Sequence, residues 1–75
     1  MRNHNFVTSS NIDSVGYDED TLFVRFKSGE SYSYDGVPFY HFDGMTKAES
    51  VGKYFHRHVK GHFRYTHLKH DPFIR

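Results

Sequence analysis

The alternation of apolar and polar residues predicts three β-strands in the first half of the chain. Thr21–Lys27 has the clearest pattern, because its leucine, its valine and its second phenylalanine occupy alternate positions, as in a strand with one buried face. Weaker patterns predict a first strand over Ser10–Tyr17 and a third strand over Glu30–Asp35. The acidic segment 18–20 and the pair Ser28-Gly29 are predicted turns, so the strands are expected to form an antiparallel meander.

The turn at Ser28-Gly29 decides which face of the sheet carries Tyr32 and Tyr34. A two-residue turn would pair Arg25 with Tyr32 and would expose both tyrosines as a platform on which nucleic-acid bases could stack. A type I turn with a left-handed glycine adds one residue, pairs Val24 with Tyr32, and moves both tyrosines to the apolar face. We predict the second register, because the shorter turn would favour asparagine or aspartate where the serine lies.

Apolar residues recur at helical spacing in the second half of the chain and predict two short helices. The first is predicted over Pro38–Lys47, since proline suits the first turn of a helix, where its missing amide would be unpaired anyway. The second is predicted over Val51–Lys60, where Ser50 can cap the first turn and Gly61 can end the last. Residues 62–68 are expected to be extended or irregular. The sequence therefore predicts an α+β fold, a three-stranded antiparallel β-meander followed by two short helices packed on one face.

The second predicted helix has a packing face and a cationic face. At about 100° per residue, one stripe of this helix contains Val51, Tyr54, Phe55, His58 and Val59. The opposite side and the residues just beyond the helix form what we call the basic face, which comprises Lys53, His56, Arg57, Lys60 and Arg64. Such a row of cations can neutralise phosphates, while aromatic neighbours can stack on unpaired bases. The alternative interpretation is an ordinary solvated helix face.

The distribution of charge agrees with a basic surface in the second half of the chain. Residues 1–46 carry three basic and seven acidic side chains, a net charge of −4, whereas residues 47–75 carry seven basic and two acidic side chains, a net charge of +5. This separation favours a surface that meets an anion. Attraction between the two halves of one domain is the alternative explanation.

Length and composition indicate one small domain with an aromatic core. Eight phenylalanines and six tyrosines must fill most of the core of this 75-residue chain, because leucine and isoleucine are scarce. We expect a flexible N-terminal segment at 1–8, a single domain at 9–68 and a C-terminal tail at 69–75. The chain lacks cysteine, a signal-peptide core and an apolar run of about 18 residues, so we expect a cytoplasmic monomer with no membrane partner.

Three short motifs follow one another in the predicted domain. They are Tyr-x-Tyr at Tyr32-Ser33-Tyr34, a Val-Pro turn at Val37-Pro38, and Ser50–Phe55, which reads Ser-x-Gly-basic-aromatic-Phe. In this order and spacing they resemble the KTSC domain, a short bacterial domain that also occurs at the C-terminus of some lysyl-tRNA synthetases. The resemblance covers about Ser9–Leu68. It implies the fold more than a function, because the family's function is not established and RNA binding is suggested only by the synthetase context.

The seven histidines are dispersed along the chain and do not predict a metal site. His56 and His58 lie about 200° apart around a helix, so their rings would point to opposite sides. His58 and His62 are separated by Gly61, and no cysteine is present to complete a four-ligand zinc site. We expect His58 to be a half-buried core residue and His56 to join the basic face.

These observations predict a small non-enzymatic binding module for RNA or another single-stranded nucleic acid, with the basic face as its binding surface. No arrangement of serine, histidine and acid is recognisable, so we predict no catalytic residue, no cofactor and no bound metal. The amides at the start of the second helix, Ser50–Lys53, are a second candidate for binding an anion, but an ordinary helix cap is the favoured interpretation. The alternative function is protein–protein interaction through an exposed aromatic patch or a sheet edge.

Overall fold

In a computed structural model, which describes residues 3–6 and 11–70, five antiparallel strands form one sheet and follow one another in sequence order. The strands are β1 (Asn3–Phe6), β2 (Ile12–Asp18), β3 (Thr21–Phe26), β4 (Ser31–Tyr34) and β5 (Tyr65–Leu68). The predicted α+β class and the antiparallel meander are therefore confirmed.

Two helical segments connect β4 to β5 and contribute to a core on one face of the sheet. The first, α1 (Phe39–Lys47), is followed by α2 (Val51–Tyr54), which continues without a break as a π-helical turn (Phe55–Val59). Ser50 caps α2, because its hydroxyl accepts a hydrogen bond from the Lys53 amide at 3.2 Å. Within residues 11–70, no helix has the length and apolarity that crossing a membrane would require.

The sheet contains more strands than the three that the sequence predicts. β1 lies inside the segment 1–8, which the sequence predicts to be flexible, and β5 lies inside 62–68, which it predicts to be extended or irregular. Both strands have four residues and form the two edges of the sheet. Burial does not alternate along β5, so its identity as a strand depends on its pairing with β4. Residues 1–2, 7–10 and 71–75 lie outside the described residues.

The hairpin between β3 and β4 adopts the register of the longer turn, which contains one extra residue. Val24 lies opposite Tyr32 and Leu22 lies opposite Tyr34, as predicted. Gly29 is left-handed, with φ of 98°, and its amide donates to the carbonyl three residues earlier at 2.9 Å. The predicted register is therefore confirmed, and both tyrosines face the helices.

One hydrophobic core fills the space between the helices and the sheet. Its buried members are Ile12, Val15, Tyr17, Leu22, Val24, Tyr34, Val37, Phe42, Met45, Val51, Phe55 and Val59. Phe55 has the largest fully buried side chain and is 2% exposed. Its ring packs edge-to-face against Tyr34, with centroids 5.4 Å apart, and against Phe26, with centroids 5.7 Å apart. This one side chain thus joins the second helix to both β3 and β4.

The π-helical turn changes which side chains of the second helix face the core. Its defining hydrogen bond runs from the Lys60 amide to the Phe55 carbonyl, five residues earlier, at 2.8 Å. Val51, Phe55 and Val59 are buried as the predicted stripe requires, but His58 is exposed, so the prediction of a half-buried His58 is wrong. A π turn advances each residue through a smaller angle than an α turn, which rotates His58 off the packing stripe.

Ring side chains join α1 to the second helix near the protein surface. His41 Nδ1 and the Tyr54 hydroxyl are 3.0 Å apart, and the Tyr54 and His58 rings have centroids 4.4 Å apart. Burial lowers the pKa of His41, and repulsion from His58 and His62 lowers it further. Within residues 11–70, no three side chains of metal-binding type are grouped so that they could hold an ion.

We expect Phe55→Ala to lower the free energy of unfolding by about 3–5 kcal/mol, because truncation leaves a cavity where the helix meets the sheet. Chemical denaturation followed by circular dichroism measures the change. Phe39→Ala is a matched control, since Phe39 is 49% exposed and its truncation should cost much less. If Phe55→Ala were as stable as the wild type, the helix would have to dock through another face.

We also expect the fold to lose stability as the pH falls below the ordinary histidine pKa of 6.5. The unfolded chain protonates His41 more readily than the folded protein does, so the unfolded state binds more protons and stability rises with pH. In urea denaturation at about pH 5.5 and 7.5, His41→Asn should show a smaller pH effect, because asparagine does not titrate and can still bond to Tyr54. An equal pH effect in both proteins would contradict this expectation.

Candidate functional site

An aromatic groove lies between the π-helical turn and the strands β4 and β5. It has a volume of about 700 Å³. Six aromatic side chains line it: Phe26, Tyr32, Tyr34, Phe55, Phe63 and Tyr65. The pairing of β4 with β5 builds one wall, since Tyr34 lies opposite Tyr65 and therefore shares its face of the sheet. The groove thus combines residues from two distant parts of the chain.

The rings of the groove hold one another in place. Tyr32 packs edge-to-face against Phe26, with ring centroids 5.7 Å apart. The ring centroids of Tyr32 and Tyr65 are 5.8 Å apart. The ring centroids of Tyr34 and Tyr65 are 6.0 Å apart, and Tyr34 also packs edge-to-face on Phe55. Such contacts fix the ring orientations. Tyr65 is nevertheless 61% exposed, so the groove presents aromatic surface to solvent.

Three tyrosines of the groove have hydroxyls with no hydrogen-bond partner among residues 11–70. They are Tyr32, Tyr34 and Tyr65. Tyr34 is only 5% exposed, and burial raises its pKa to about 12, with smaller contributions from repulsion by Tyr32 and Tyr65. Its hydroxyl therefore stays protonated near neutral pH and can both donate and accept a hydrogen bond.

An acidic residue, Glu30, also lines the groove. Its carboxylate pairs with His67 Nε2, and both side chains are half exposed. The His67 ring in turn packs on Tyr32, with centroids 4.9 Å apart. The carboxylate is thus oriented beside the aromatic wall, and a carboxylate can accept several hydrogen bonds at once.

The residues of the predicted basic face are all exposed, but the structure distributes them over two neighbouring surfaces. His56 and Lys60 line the aromatic groove. Lys53, His56 and Arg57 line a second, shallower cleft beside α2, which also contains Glu49. His56 belongs to both surfaces and connects them. Within residues 11–70, none of the five side chains of the basic face forms an ion pair.

Arg64 lies apart from the rest of the basic face. It precedes β5 and lines neither the groove nor the cleft. Its backbone carbonyl accepts a hydrogen bond from the Asp35 amide at 2.8 Å, which anchors the entry to β5. Arg64 therefore follows the direction of β5 and does not continue the row of cations on the helix, which has ended before it.

Sequence reasoning missed the groove itself. The sequence predicts both tyrosines of β4 on the apolar face, where Tyr34 is buried but Tyr32 is only partly buried. The remaining wall residue, Tyr65, lies in a segment for which no strand was predicted. One signal was present, because Tyr65 and His67 occupy alternate positions and so share a face of a strand.

Comparisons with known proteins relate this chain to one family. The family model described as the KTSC domain matches residues 8–63. A protein from Tsukamurella paurometabola is 43% identical over 60 residues, which cover 77% of this chain and 90% of that protein. A lysine–tRNA ligase from a Nostoc species is 42% identical over 48 residues, which cover 64% of this chain but only 9% of the ligase.

A solved structure agrees with both the family and the fold. The crystal structure of a KTSC domain protein from Yersinia pestis superimposes with a TM-score of 0.82 at 34% sequence identity. The match covers 87% of this chain and 94% of the other.

Proposed function

The chain belongs to the KTSC domain family, and for this member we propose a non-enzymatic function, the binding of single-stranded nucleic acid and of RNA in particular. The observation that carries the proposal is that the aromatic groove and the cationic cleft adjoin at His56. Proteins that bind single strands combine these same two features, aromatic rings for the bases and a positive path for the backbone.

The groove suits unpaired bases. Its rings are held by one another, so a base can stack on them without a large ordering cost in the protein. Tyr65 is the most exposed ring and offers the first stacking surface. Stacking of one base on an aromatic side chain contributes about 1–3 kcal/mol and depends little on sequence.

The basic face suits the phosphates that accompany those bases. Lys60 and His56 flank the groove, and the cleft continues the positive surface to Lys53 and Arg57. Because these cations form no ion pairs within residues 11–70, a phosphate would not have to displace a carboxylate from them.

A relative supports RNA as the nucleic acid. The lysine–tRNA ligases of the Nostoc species and of Trichormus variabilis, enzymes named for tRNA, contain a stretch that is 42% identical to residues of this chain. A domain that contacts RNA in such an enzyme could keep that ability as a separate small protein. This argument concerns the class of ligand and transfers no catalytic activity.

A second candidate function is protein–protein interaction. It is favoured by two exposed aromatic side chains of α1, Phe39 at 49% and Tyr40 at 65%, and by the edge strand β5. Salt separates the two functions, since binding to an aromatic protein surface should respond to salt far less than binding to phosphates.

We expect the protein to bind a fluorescently labelled single-stranded RNA of mixed sequence at low salt, as measured by anisotropy. If about three phosphates are contacted, the logarithm of the binding constant should fall against the logarithm of the salt concentration with a slope of about −2. The variant Lys53→Glu, Arg57→Glu, Lys60→Glu should keep the wild-type melting curve, because these side chains are exposed, and should lose binding.

A matched control removes the same charge elsewhere. Lys27, Lys47 and Lys69 are exposed and belong to neither the groove nor the cleft, so their joint change to glutamate should leave most of the binding. Equal loss in both triple variants would show that net charge alone matters. Absence of binding by the wild type at low salt would refute the proposed function.

A further inference from the structure

We infer that the aromatic groove is a guanine site, in which Glu30 reads the base edge and the Tyr34 hydroxyl supplies an additional hydrogen bond. This inference rests on the proposed function and deepens it from strand binding to base recognition. It starts from the polar groups of the groove, which stacking and phosphate contacts leave unexplained.

The first of these groups is the hydroxyl of Tyr34. The side chain of Tyr34 is 5% exposed and lines the groove, and it makes no hydrogen bond within residues 11–70. A phenylalanine would fill the same core position without a polar group to satisfy. Among the described residues only the Ser31 hydroxyl is buried without a partner, so the Tyr34 hydroxyl itself reaches the solvent of the groove and is free to bond a ligand atom there.

The second group is the carboxylate of Glu30. A negative charge weakens a site that serves only to attract phosphates, and the pair with His67 uses only part of the acceptor capacity of the carboxylate. His67 holds the carboxylate, and the packing of His67 on Tyr32 sets the direction of this pair relative to the aromatic wall. In our proposal the edge of a base stacked on that wall meets this carboxylate.

Among the four RNA bases, guanine matches this combination best. Its N1–H and its N2 amino group are adjacent donors on one edge, and a carboxylate can accept both at once through its two oxygens. Its O6 and N7 remain as acceptors for a tyrosine hydroxyl. Adenine, cytosine and uracil do not present two adjacent ring-edge donors, so each would leave one carboxylate oxygen without a base partner.

The test compares three RNA pentamers that differ only at the centre, UUGUU, UUAUU and the inosine pentamer UUIUU. Wild-type protein should bind UUGUU at least about fivefold more tightly than UUAUU, the lower end of what one bidentate contact discriminates. Inosine lacks the N2 amino group, so UUIUU should lose part of this preference without any change in the protein. Anisotropy at constant low salt gives all three affinities.

Variants then assign the preference to residues. Glu30→Gln can still accept a hydrogen bond from His67 but loses the charge and the second acceptor, so UUGUU and UUAUU should bind with nearly equal affinity. Tyr34→Phe keeps the ring packing and should weaken UUGUU binding. Glu19→Gln is the matched control, because it removes an exposed carboxylate outside both the groove and the cleft and should leave the preference unchanged.

The outcomes separate this inference from the proposed function. Equal binding of all three pentamers by the wild type would overturn the guanine site while leaving strand binding in place. A preference for guanine that survives in Glu30→Gln would overturn the assignment to Glu30. Binding of no pentamer would overturn both proposals, and 5′-GMP competing as well as UUGUU would show that the site takes a free nucleotide instead of a strand.

Discussion

The edge-to-face contact between Phe55 and Tyr34 is the interaction on which the rest of the structure depends. The two rings lie 5.4 Å apart, one on the second helix and the other on β4, and each is nearly inaccessible to solvent. Because the contact fixes the distance of the helix from the sheet, it also fixes the width of the groove that opens beside it. The core and the candidate binding surface therefore use the same two residues, with Tyr34 contributing its ring to one and its hydroxyl to the other.

Much of the fold could be predicted from local sequence. The alternation in β3 and the serine–glycine turn were sufficient to give the register that places Tyr32 opposite Val24. Both helices were also predicted, since their caps and apolar spacing are local signals. The edge strands were not predictable in this way, because a segment such as Tyr65–Leu68 is a strand only through its pairing with β4.

The candidate site was predictable only in part, and the reason is physical. Helical periodicity correctly made Lys53, Arg57 and Lys60 exposed, but it could not predict the change to π-helical bonding after Phe55. That change moved His58 to the surface and left His56 shared between groove and cleft. The aromatic wall depends on contacts across more than thirty positions of the chain, such as Tyr34 with Tyr65, and local patterns carry no information about them.

The position of β5 has a thermodynamic consequence. The strand that completes the groove comes after both helices, so the groove exists only when the whole domain from β2 to β5 has folded. Any molecule that fills the groove then binds the native state and not the unfolded chain. By mass action, occupancy adds to the stability of a domain whose small size leaves it a limited margin. In the cell, the lifetime of this protein would then follow the concentration of whatever it binds.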